Sequence, residues 1–136
     1  MRIACVPLDS RPANWQFPQR LADISGIELL LPPRSMLGTL TSGADQRELV
    51  RWLRQHAREA DAAVFSWDAL IYGGLVQSRD PALPVVEPAE IYENLASVDW
   101  RSVAGYGYAT IPRLGITTAS SGALSRHEAV RELFIA

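Results

Sequence analysis

Two carboxylates and three arginines stand at places where a ligand-binding edge would use them. Asp9 lies in "VPLDSRPAN" and Asp68 in "SWDALIYGGLVQSR", with Arg11, Arg79 and Arg113 following apolar runs of their own. A carboxylate can act as a general acid or base, or as an oxygen ligand for a hard cation. A guanidinium offers a planar fork that matches carboxylate and phosphate groups. Asn14, Ser66, Tyr72 and Ser78 add hydrogen-bonding groups, and Gly73-Gly74 lets the chain reverse between Asp68 and Arg79. The set suits a small polar or anionic ligand, with Asp9 and Asp68 as the catalytic pair and the others as binding groups. A purely structural network fits the same residues. Asp9 would then form an Asx-turn paired with Arg11, and Asp68 would pair with Arg79 to brace its loop. Both readings stand at this point.

Other chemistries find no support. There is no GxGxxG or GxxxxGK[ST] segment and no GxSxG nucleophile turn. All 13 cationic residues are arginine, so Schiff-base and P-loop lysine chemistry is excluded. His56 falls on the apolar stripe of a helix. His127 has no cysteine or histidine at ligand spacing, so no zinc site is visible and no metal-binding residue is assigned; the cofactor is unknown, with Asp9 and Asp68 open to acid/base work or to a divalent cation. Cys5, the single cysteine, sits in an apolar run and reads as a buried, inert thiol. A net charge of −2 gives no basic field for nucleic acid. No apolar run approaches the ~20 residues of a membrane span. Pro7, Asp9 and Arg11 interrupt the N-terminal apolar run too early for a signal peptide. A cytoplasmic protein is expected.

The elements that must position these groups alternate. Apolar runs at 2–8, 27–32 and 61–67 read as buried strands, and 102–112 as a fourth, short on bulk because of Gly105 and Gly107. A helix is expected from Pro18, with Gly26 at its exit. The clearest helix spans 45–60, where Leu49, Leu53, His56 and Ala60 share a face. A weaker helix follows Pro88, with Ile91, Leu95 and Val98 on one side. Another is expected at 125–134, capped by Ser125. Alternation of this kind predicts a single α/β domain, a three-layer parallel sheet of Rossmann-like or flavodoxin-like strand order 2-1-3-4. Strands one and three are then neighbours with opposite winding on either side. Asp9 and Asp68 follow their carboxyl ends, at the switch point where open α/β sheets place ligands.

Four segments also carry a resemblance. "VPLDSRPAN", "LPPRSMLG", "SWDALIYGGLVQSR" and "ATIPR" resemble, in that order, a bacterial family catalogued as a domain of unknown function. Its members share PLDxRP, PPxxxLG and SxDxLxYGGLxxSR segments. The resemblance covers the chain to about Arg113 and places the motif residues without naming a reaction. Family members are several times longer, so it implies that 1–136 is a fragment or shortened form of a larger architecture. Two functions remain in view. One is a hydrolase-like enzyme domain acting on a small polar or anionic substrate. The other is a non-catalytic module that self-associates. A homo-oligomer is expected, because "VRELFIA" places Val130, Leu133 and Phe134 on one helical face.

Overall fold

The computed structural model describes residues 1–79 and 87–111. Within them the order is β1 (Arg2–Val6), α1 (Pro12–Ser25), β2 (Glu28–Leu30), α2 (Gln46–Ala57), β3 (Ala62–Ser66), α3 (Trp67–Tyr72), α4 (Pro88–Ala96) and β4 (Ala104–Tyr108). Single 3₁₀ turns occupy Arg34–Met36 and Gln77–Arg79. The four strands are all parallel, in the order β2-β1-β3-β4, as the alternation predicts. The expected helix at 125–134, His127 and Arg113 lie outside the described residues.

The two faces of the sheet are covered unequally. Ala4 and Val6 of β1 join Ala63 and Phe65 of β3 in one core with Leu49, Leu53, Leu70, Ile91 and Leu95 from α2, α3 and α4. Leu49, Leu53, Leu70 and Ile91 are among the largest fully buried side chains. Each contributes ~1.5–3 kcal/mol relative to exposure. The alternate residues Ile3, Cys5 and Val64 face the other way, towards α1. On α1 only Ala22 is buried, while Phe17, Leu21 and Ile24 are exposed.

Three local details differ from the sequence reading. The first helix begins at Pro12, not Pro18. Arg11 is extended (φ −66°, ψ 150°) and Pro12 takes the first helical position, where its missing N–H costs nothing. Pro18 is therefore interior, and one helical hydrogen bond is absent there. The third strand stops at Ser66, and a six-residue helix follows. Ser66 caps it by accepting the Ala69 N–H at 3.3 Å, and Gly73 ends it at φ 83°. Asp68 thus sits in the first turn of a helix rather than in a loop. The second helix is shorter than 45–60, because Asp45 is its N-cap and Ala57 its last residue.

The two glycines of β4 are packing devices. A Cβ on Gly105 would meet the Trp100 ring, and one on Gly107 would meet Trp67 and Phe65. Tyr106 and Tyr108, alternating with them, point to the α1 side of the sheet. All four tryptophans pack against the core as partly buried side chains. His56 stacks on Trp52, with ring centroids 4.2 Å apart, and its Nδ1 lies 2.8 Å from the Trp52 carbonyl oxygen.

Candidate functional site

The loops that leave the carboxyl ends of the strands are joined by main-chain hydrogen bonds. Ser10 N–H donates to the Gly38 carbonyl (2.9 Å), and Ala44 N–H donates to the Gly73 carbonyl (2.9 Å). Arg34 Nε donates to the Ser10 carbonyl (3.0 Å). Thr110 N–H donates to Asp68 Oδ2 (2.8 Å), which ties the exit of β4 to the exit of β3. Four segments far apart in sequence therefore form one rim. The approach is close enough to require glycine. A Cβ on Gly38 would collide with the Gly73 carbonyl oxygen, and one on Gly73 would meet the Ala44 backbone. Gly73 and Gly74 take φ 83° and 142°, so the reversal expected at this pair is present.

Asp9 is buried on this rim, at 3% exposure, and its carboxylate is fully engaged. Oδ1 accepts the Arg11 N–H (3.1 Å) and Asn14 Nδ2 (2.7 Å). Oδ2 accepts Arg11 Nε (2.8 Å) and lies 2.7 Å from the second guanidinium nitrogen. Burial alone would raise the carboxyl pKa, but the hydrogen bonds from Arg11 and Asn14 outweigh it and hold Asp9 below the ordinary carboxylate value. The group stays ionised and gives Arg11 and Asn14 fixed positions at the start of α1. The Asx-turn and the Arg11 pair expected of a structural Asp9 are both present.

Asp68, one strand over, is buried at 5% exposure. Its one hydrogen bond among the described residues is the Thr110 N–H on Oδ2. The pairing with Arg79 that a brace would need is absent among the described residues. Ser66 is fully buried, with its hydroxyl occupied by the α3 cap. Ser78 donates to the Leu75 carbonyl (2.8 Å) and serves its own turn. Tyr72 is exposed at the end of α3. Arg79 is half-buried with an unpartnered Nε. Arg113 lies outside the described residues.

Tyr108 is the residue that sequence reasoning passed over. It pairs in register with Ser66 at the carboxyl end of the sheet. The residue as a whole is 40% exposed, but burial of its hydroxyl end pushes the phenol up to about 12; the neighbouring Cys5 and Asp68 add to the rise, and the Leu8 backbone and Ser66 hydroxyl oppose it. The phenol is protonated at neutral pH and available as a donor. The signal was present: "AGYGY" alternates glycine with tyrosine, so both tyrosines must share one face. Gln77 was also passed over. It is buried at 5%, donates to the Thr39 carbonyl (3.3 Å) and leaves Oε1 without a partner.

Below the rim, between α1 and the sheet, lies a cavity of about 380 Å³. Ile3, Cys5 and Val64 form its floor, Pro18 and Leu21 part of its wall, and Asn14 and Tyr108 contribute polar groups. Burial raises the Cys5 thiol to about 11, so it is protonated and unreactive. Among the described residues no group of three or more His, Cys, Asp or Glu side chains could hold a metal ion, and no helix is long and apolar enough to cross a membrane.

No curated protein and no solved structure matches the chain. A family model does match, over residues 3–133, which takes in all four resembling segments and every residue of the rim. The chain belongs to the family described as "Protein of unknown function (DUF4127)".

Proposed function

We propose that the rim binds a small polar or anionic ligand and belongs to a hydrolase-like enzyme domain. The observation that supports this best is the Asp9–Arg11–Asn14 cluster. A buried carboxylate spends four contacts on fixing a guanidinium and an amide at the switch point of a parallel sheet. In this reading Arg11 clamps the anionic group, and its side chain, 41% exposed, still faces solvent. Asp9 is a positioning residue. Asp68 is the acid/base group, and the Tyr108 hydroxyl donates a hydrogen bond to the ligand. Isothermal titration of the full chain with inorganic phosphate tests the clamp. Saturable binding, weakened at least tenfold in Arg11→Gln, is the expected result. No saturable binding, with equal loss of stability in Asp9→Asn and Asp68→Asn, would leave the rim as framework alone.

The second reading, a non-catalytic module that self-associates, is favoured by β4. All five of its residues are exposed, Tyr106 to 61%, and the strand carries no charged residue to discourage edge pairing.

A further inference from the structure

The cavity beneath the rim says more about the ligand than the rim does. We infer that the ligand is amphipathic: an anionic head held at Arg11, joined to an apolar body that enters the groove between α1 and the sheet. The inference rests on the proposed ligand-binding role of the rim.

Three observations carry it. The groove has the size of a small-molecule site, about 380 Å³, at the lower end of the range for such pockets. Its lining is mainly apolar, and no charged side chain lines it among the described residues. Ile3, Cys5 and Val64 make an apolar floor; Asn14 and Tyr108 bring polar atoms at the rim end, and Ser25 brings one at the far end of α1. The polar lining and the clamp belong to one assembly, because Asn14 donates to the same Asp9 carboxylate that holds Arg11. A purely polar ligand would use Arg11 and leave the groove unfilled. A purely apolar ligand would leave unused the guanidinium donors that Asp9 does not engage. A carboxylate, phosphate or sulfonate carrying a short alkyl or aryl body uses both.

Straight-chain carboxylates from acetate to octanoate, with 1-octanol and inorganic phosphate as controls, test this on the full chain by isothermal titration. Each methylene that enters the groove should tighten binding about three- to fourfold, so affinity should climb steadily along the series. Octanol should bind at least tenfold more weakly than octanoate. Val64→Phe fills the floor, and Leu21→Trp fills the wall from an exposed helix position. Either variant, if its melting curve shows it folded, should remove the chain-length dependence and leave phosphate binding unchanged. Phosphate and every carboxylate binding alike, with both variants indifferent, would overturn the amphipathic ligand while leaving the polar site standing. Failure of phosphate as well would remove both. Octanoate binding that survives both variants, or a groove that proves to be covered by a second copy or by another part of the chain, would also overturn it.

Discussion

Asp9 is an acid whose environment has removed its freedom to act as one. Its carboxyl pKa lies below the ordinary value in the fold, so the unfolded chain binds its proton more readily as pH falls. The stability it contributes is therefore complete above the unfolded carboxylate pKa, near 4, and is lost as pH falls through the folded value. An Asp9→Asn chain should lack that part of the acid-side loss, and should be less stable at pH 7 by about 1.5–3 kcal/mol, the usual range for hydrogen bonds to a charged group. Urea melts of both proteins between pH 3 and 7 would check this. A constant stability difference across that range would contradict it. Asp68→Asn should behave otherwise, because the Thr110 N–H can still donate to the remaining carbonyl oxygen. We expect a smaller stability change than for Asp9→Asn.

Two glycines, Gly26 at the opposite edge of the sheet and Gly38 on the rim, can be ranked by what surrounds them. Gly26 ends α1 at φ 66° with nothing within 4 Å of an added Cβ, so Gly26→Ala should cost only about 1 kcal/mol. Gly38→Ala drives a methyl group into the Gly73 carbonyl and must push the loops around Gly38 and Gly73 away from each other. It should cost well over twice as much and abolish phosphate binding, measured by thermal melts and titration of the two variants side by side. These contacts also show where sequence reading reached its limit. The strand order was legible, because apolar runs alternate with amphipathic stretches. The Gln46–Ala57 helix was legible from the stripe through Leu49 and Leu53. The α3 helix was not: six residues make under two turns, too few to show a 3.6-residue period, and "WDALIY" continues the apolar run of β3. The start of α1 was misplaced for a related reason. Either Pro12 or Pro18 can open a helix, and the Asp9–Arg11–Asn14 hydrogen bonds, which sequence spacing does not display, favour the earlier one. Among site residues, the acids and arginines stood out by type. Tyr108 did not, because its role comes from facing Ser66 across the sheet.

At the scale of the molecule, the unequal cover of the sheet is the main feature. One face carries α2, α3 and α4, while the other has α1 alone among the described helices, with Phe17, Leu21 and Ile24 exposed on it. Parallel sheets are ordinarily covered on both faces. Separately, β4 is an exposed edge of the sheet among the described residues and carries no charge, and we expect self-association through it. Sedimentation velocity should give a mass that rises with concentration, and Tyr106→Lys should lower it to that of a monomer. A strict monomer at high micromolar concentration would remove the expectation.

The stitching of the rim has a consequence for how this family can diversify. Two of its seams run from amide to carbonyl, Ser10 to Gly38 and Ala44 to Gly73, and these make no demand on side-chain identity beyond the glycines, whereas the other two need Arg34 and Asp68. Positions such as Ser10, Leu40 and Val76 are then free to vary without loosening the scaffold. A library randomised there, with Gly38, Gly73 and Gly74 held, should yield mostly folded members that differ in what they prefer to bind. Relatives could thus trade one ligand for another through substitutions at these positions, while swapping a single loop between them would break a seam unless its partner travelled with it.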